Sequence, residues 1–338
     1  MPARLGIATP ALLAVLACTR PAPPAPEQAP PESPPLTTAP APAPAPALAS
    51  ALVLPQGEAR REIVPTLERL PSLRPQLGLL RDHFSSFKGP FDVQSIALSD
   101  GRSAFLVSGL DEMAPIALAL DRDQLAWSKQ RPVAGILTPV QHLAIAPRPD
   151  GGVALFAWVA QLRVVAARMW ADDGNPFGDF ELFAPSACDS LSAAYGPGFG
   201  WVVVCASAAG ALAERMREDA VVAWPKQGVS VGARGASGPA TIAFDTHATF
   251  VVVQRAAAVG GDRVLAQRYD GDGEPLWPTA ATVGAVGADG SVRATARLEA
   301  RNAGDGVVRV ELPHGVAGRP TVRGAEIDST GMVKLVHE

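Results

Sequence analysis

An internal repeat constrains this chain more than its composition does, because a segment copied at a fixed period must stack on its own copies. "LAQRYDGDGEPLW" at 265–277 lies over "LAERMREDAVVAW" at 212–224 without a gap; Leu, Ala, Arg, Asp and Trp coincide. "VAARMWADDGNPF" (165–177) follows the same frame, with Arg168, Asp172 and Phe177 in step. "PIALALDRDQLAW" (115–127) keeps the acids and the final Trp, and "VRGAEIDSTGMVK" (322–334) is a degraded copy. The aromatic ends fall at 127, 177, 224 and 277, in steps of 50, 47 and 53. A hairpin-like pair of apolar runs precedes each copy, as in "LSAAYGPGFGWVVVC" and "TIAFDTHATFVVVQ".

Residues 91–338 therefore divide into about five units, 91–139, 140–187, 188–237, 238–290 and 291–338. Each reads as two hairpins, or four strands: short runs rich in Val, Phe and Trp between Gly, Pro and Asp turns. Several runs are apolar on successive residues, so both faces of the strand are covered. Four strands in a unit of this length predict an all-β, β-propeller-like array of about five units, in which neighbouring blades bury the two faces. A sixth unit results if residues 51–90 complete one. The runner-up is a pair of β-sandwiches. "AAGALAERMRED" (208–219) has helical propensity, and the repeat frame overrides it. The pattern resembles the uncharacterised propeller-like repeats of secreted bacterial proteins. That resemblance covers about 250 residues and implies architecture, not activity.

The N-terminus points to a compartment. Arg4 precedes a short apolar run, Leu5 to Ala17, too short to cross a bilayer permanently and suited to a signal peptide. It ends "VLAC", which resembles the bacterial lipobox. The resemblance implies removal of residues 1–17 and a lipidated Cys18 that anchors the chain to a membrane; the alternative is an ordinary secretory signal. Thr19 after the Cys, in place of Asp, favours the outer membrane by the same resemblance. Residues 18–50 form a Pro/Ala-rich tether; alternating Ala-Pro favours extended polyproline II. Pro21 to Pro46, at about 3.1 Å per residue, would reach roughly 80 Å. Residues 51–90 read as a partly helical lead-in, broken by Pro65, Pro71 and Pro75.

A net charge of −4 argues against a nucleic-acid partner. Cys188 and Cys205 flank a hairpin centred at 196–197, in which they would face each other as a disulfide; two buried thiols are the alternative. Asp270, Asp272 and Glu274 place oxygen ligands at alternate positions, as calcium loops do. The EF-hand pattern is not met, and Asp-Gly is also a strong turn signal. We therefore expect no cofactor, with Asp270 and Asp272 as weak calcium candidates. These turns also resemble sialidase Asp boxes, without their Ser/Thr or spacing.

"GVSVG" (228–232) matches G-x-S-x-G at Ser230, but in a β segment with no helix after it. The five His, at 83, 142, 247, 314 and 337, are scattered singly. Arg168, Arg215 and Arg268 share one frame position, either as a ring of cations for an acidic ligand or as partners for a neighbouring blade's carboxylate. Trp127, Trp224 and Trp277 read as inter-blade packing.

The expected function is a lipid-anchored extracytoplasmic protein that offers a rigid β-repeat surface to a protein or glycan, without catalysis. The alternatives are a propeller-type hydrolase or lyase acting on a sugar or lactone, and a structural cell-envelope protein.

Overall fold

The computed structural model describes residues 57–337, apart from 99–100, 110–114, 122–123, 127–130, 133–140, 247, 258–262, 286–298 and 312–321. Cys18, the signal segment 1–17, the tether 18–50 and Trp127 lie outside the described residues.

Five antiparallel sheets stand in a ring, and the fold is a five-bladed β-propeller. Blade 1 runs through Phe91–Ala97, Ser103–Gly109 and Ile116–Asp121, with the short strands Gln124–Leu125 and Arg131–Pro132 both paired to the third. Blade 2 is Gln141–Pro147, Val153–Val159, Val164–Trp170 and Pro176–Phe183. Blade 3 is Ser190–Gly196, Gly200–Ser207, Gly210–Met216 and Val229–Val231. Blade 4 is Ala240–Phe244, Phe250–Ala256, Arg263–Tyr269 and Ala281–Ala285. Blade 5 is Glu299–Gly304, Val307–Glu311, Val322–Ile327 and Val333–His337. From blade 1 to blade 5, the first strands of successive blades lie against one another, so they surround the axis.

Strands apolar on successive residues are explained by two packed faces. In blade 3, Trp201, Val203 and Cys205 join Phe156, Trp158 and Met169 of blade 2. The alternate residues Val202, Val204 and Ala206 join Phe244, Phe250 and Val252 of blade 4. The segment of helical propensity is the strand Gly210–Met216, because ladders on both sides take its backbone groups.

The lead-in is not a sixth blade. Gly57–Glu58 pairs with the first strand of blade 3, and Arg60–Val64 pairs with the first strand of blade 1. Two 3₁₀ segments, Leu67–Arg69 and Pro71–Gln76, then lead into the helix Leu77–His83. Their buried Leu67, Leu70, Leu73 and Leu80 cover Phe91, Phe105, Val107 and Leu118, on the face of blade 1 turned away from blade 2.

Cys188 and Cys205 form a disulfide with Cα atoms 5.4 Å apart. They are not opposed in the ladder as expected. The hairpin pairs Gly196 with Gly200, which sets Cys205 opposite Leu191. Its turn centres on Gly198, at φ +73°, not at 196–197. Cys188 reaches Cys205 from the extension before the first strand, where the Asp189 N–H donates to the Ala206 carbonyl at 2.8 Å.

The cap of blade 1 should contribute strongly to stability. Leu80 is fully buried, so Leu80→Ala should lose about 2–5 kcal/mol in urea unfolding. An unchanged midpoint would mean that this face does not need its cover.

Candidate functional site

The acidic turns that follow the third strand of a blade are built on one plan. Asp270 donates its N–H to the Glu274 carbonyl at 3.0 Å, and Gly273 donates back to the Asp270 carbonyl at 3.2 Å. The same pair of bonds closes the turns 171–175, 217–221 and 328–332. The fourth residue of each is left-handed: Gly174, Ala220, Gly273 and Gly331, at φ +80°, +63°, +83° and +87°. Glycine adopts that conformation without strain.

One acid of each turn bonds back into it. Asp270 Oδ1 accepts the N–H groups of Asp272 and Glu274, both at 2.9 Å. Asp328 Oδ1 accepts from the N–H of Thr330, its hydroxyl and the Met332 N–H. Such self-capping is ordinary Asx-turn chemistry. Among the described residues, no group of three or more His, Cys, Asp and Glu is placed to hold a metal ion.

Three of the four turns also receive bonds from the preceding blade. Arg215 of blade 3 donates to the Gly271 carbonyl at 3.1 Å, and the Trp224 indole donates to the same oxygen at 3.3 Å. One blade on, Arg268 and Trp277 both donate to the Ser329 carbonyl at 3.0 Å. Arg102 of blade 1 donates to the Asp172 carbonyl at 2.7 Å. In all three cases the acceptor is the second residue of the next blade's turn. Of the two readings of these arginines, the partner from a neighbouring blade holds for Arg215 and Arg268, but what each bonds there is a backbone carbonyl and not a carboxylate. Arg268 is also ion-paired to Asp245 within its own blade, and Arg215 lies 3.7 Å over the Phe199 ring.

The proposed trio of arginines is a pair. Ladder positions make Trp170, Met216 and Tyr269 equivalent, opposite Val153, Trp201 and Phe250. Arg215 and Arg268 then match Met169, and Arg168 matches Glu214 and Gln267. Arg168 shares its face of blade 2 with Trp170, which packs toward blade 1, so it stands on the opposite face from the other two. The frame 165–177 is one residue out of register with the true repeat.

At the axis, sequence reasoning missed a polar cluster that binds the lead-in to the first two blades. The Arg61 guanidinium grips both oxygens of Asp92, at 2.7 and 2.8 Å from Nε. Asp92 is only 2% exposed; burial raises its carboxyl, and Arg61 opposes that rise. Gln94 donates to the Leu143 carbonyl at 2.7 Å and accepts from the Ile145 N–H at 3.2 Å, joining blade 1 to blade 2. His142, left-handed at φ +54°, has its imidazole pushed down mainly by burial and by Arg61. No motif marks these residues, since strand pairing brings them together. Ser230 lies exposed in the strand Val229–Val231, which is not a nucleophile elbow.

One open cleft of about 350 Å³ lies in the lead-in. Leu67, Phe84, Phe87 and Phe91 give it apolar walls, and Thr66, Glu68, Arg81, Ser85 and Lys88 give it polar ones. Glu68 is ion-paired to Arg81 at 2.8 Å. Phe87 sits where a side chain on Gly109 would be, 2.9 Å from an ideal Cβ there.

No protein-family model and no curated protein matches the chain. Among solved structures, it is similar to a functionally unknown protein from Desulfotomaculum acetoxidans DSM 771, at 12% identity and TM-score 0.39 over 69% of this chain and 65% of that one. It is similar to exo-beta-1,3-galactanase from Phanerochaete chrysosporium, at 11% identity and TM-score 0.38, over 69% and 60%. A chain of the nidogen/laminin complex matches at 10% identity and TM-score 0.36, over 66% and 74%. The chain thus spans less than two thirds of the first two, and likenesses at this level say nothing of activity.

If Asp270 serves its own turn, Asp270→Ala should cost about 1–2 kcal/mol, by the same amount with calcium or with EDTA. Calcium that raises the melting temperature of the parent chain and not of the variant would make Asp270 and Asp272 ion ligands.

Proposed function

We propose that the chain is a lipid-anchored extracytoplasmic binding protein that presents a rigid propeller to a protein or glycan partner. One observation carries this reading. Asp270, which suggested a metal loop, closes its own turn, and Arg215 and Arg268, which suggested an anion site, join Trp224 and Trp277 in holding blades 3, 4 and 5 to one another. A scaffold fixed in that way leaves recognition to its loops, where binding residues gather on rigid folds. The axial Asp92, a buried acid, has both oxygens on Arg61.

The location rests on the N-terminal residues. "VLAC" would place the lipid on Cys18, and the extended tether would hold the propeller off the bilayer. The Cys188–Cys205 disulfide suits an oxidising compartment. The net charge of −4 supports a partner other than nucleic acid.

Cys18→Ser expressed in a Gram-negative host should move the chain from the membrane fraction to the soluble one, and in-cell cross-linking of the parent chain should trap a reproducible extracytoplasmic protein or glycan. Retention of the variant in the membrane would overturn the lipid anchor. Turnover of a glycoside or lactone that Asp92→Asn abolishes would overturn the binding reading in favour of an enzyme.

A further inference from the structure

Glu214 is a fully buried acid that the joints between blades do not account for. It lies at 0% exposure on the third strand of blade 3, on the face turned to blade 2. Its Oε1 accepts the N–H groups of Arg215 and Trp224, both at 2.9 Å. Its Oε2 is buried and has no hydrogen-bond partner. An ionised oxygen left so would cost several kcal/mol.

The repeat supplies the comparison. Gln267 occupies the same position in blade 4, and the two segments match residue by residue. Ala223 donates to the Arg215 carbonyl at 2.8 Å, as Leu276 donates to the Arg268 carbonyl at 2.8 Å. In blade 4 the Gln267 amide nitrogen donates to the Trp277 carbonyl at 2.9 Å. The equivalent carbonyl in blade 3 belongs to Trp224, whose indole reaches across to the Gly271 carbonyl of blade 4. A carboxylate cannot copy an amide donor, whereas a carboxylic acid can.

We propose that Glu214 is carried in the folded protein as a neutral carboxylic acid whose Oε2–H donates to the Trp224 carbonyl, and that release of this proton to solvent loosens the joint between blades 3 and 4. Electrostatics agree: burial raises this carboxyl to about 7, against the lowering by its two backbone donors. No charged side chain is among the causes. The strands of blade 2 that face it offer Phe156, Trp158, Ala167, Met169 and Phe183. Of the ionisable groups on the elements around it, Glu181 of Pro176–Phe183 is exposed, and Asp179 is on the same strand. Arg215 turns to blade 4, Arg168 turns to blade 1, and Lys226 is exposed. At the adjoining turn, Arg217 pairs with Asp219, and Glu218 holds the Tyr195 hydroxyl.

The sign follows from linkage. The folded value lies above the unfolded one, so the stabilisation is complete below the unfolded carboxyl value of about 4.3 and is lost as pH rises through the folded value near 7. Glu214→Gln fixes the donor permanently. Unfolding of the full chain and of this variant, compared over pH, removes what the histidines contribute to both. The folding constant of the parent chain should fall relative to the variant by up to about tenfold per pH unit from about 4.5 to 7, then level off. The protection of amides 222–224 and 270–274, measured against their intrinsic exchange rates, should fall above about pH 7 in the parent chain alone. Gln267→Glu, folded first at acid pH, should bring the same dependence to blade 4. Parallel curves for parent and Glu214→Gln would overturn the proposal, as would a Gln variant that is equally destabilised at every pH.

Discussion

The joints between blades 3 and 4 and between blades 4 and 5 depend on one small contact: an arginine and a tryptophan of one blade meeting a single backbone carbonyl in the turn of the next. Stacked sheets are attracted by apolar burial, which has no direction. Hydrogen bonds to a fixed carbonyl set which residue faces which, and hence the angle at which each blade follows the last. The Gly271 and Ser329 carbonyls are aimed at their donors because Asp270 and Asp328 tie their own turns closed. The acids therefore act on the ring at one remove. They shape the turn, and the turn presents the acceptor.

The first blade meets a different requirement. The face that it turns away from blade 2 is apolar, and leucines of the lead-in cover it. Arg61 then fixes the lead-in to Asp92, and the strand pairing of 57–58 and 60–64 spans from blade 3 to blade 1. Strands 57–58 and 60–64 are thus paired to the first strands of blades 3 and 1, which line the axis.

The architecture was legible because the repeat is long and its turns share a plan. Five four-stranded units could be drawn from the copies of one frame, and the strand at 210–216 could be preferred over a helix on that ground alone. The errors have physical causes. Ala220 stands where the other turns have glycine, and Phe177, the aromatic end of its frame, is an extra residue one place before the position of Trp224 and Trp277, so Arg168 aligns with the wrong arginines. "GPGFG" offers several glycines as a hairpin centre; a centre at 196–197 sets Cys188 opposite Cys205, whereas the turn at Gly198 sets Leu191 there. The axial cluster was invisible, since Arg61, Asp92, Gln94 and His142 meet only through pairing between distant strands. Glu214 carries no signal of its own in the sequence, because its burial and its likeness to Gln267 follow from the ladder of blade 3.

The central claim is that the turn carbonyls bear the load between blades. Trp277→Phe keeps an aromatic ring beside Gly331 and removes the donor to the Ser329 carbonyl together with a small part of the buried ring. Trp224→Phe does the same at Gly271. Equilibrium unfolding of the two variants is the most direct measurement. Each should lose about 1 kcal/mol, and the double variant close to the sum, because the joints are separate. Stability equal to that of the parent chain in both variants would contradict the account and leave the blades held by apolar packing alone.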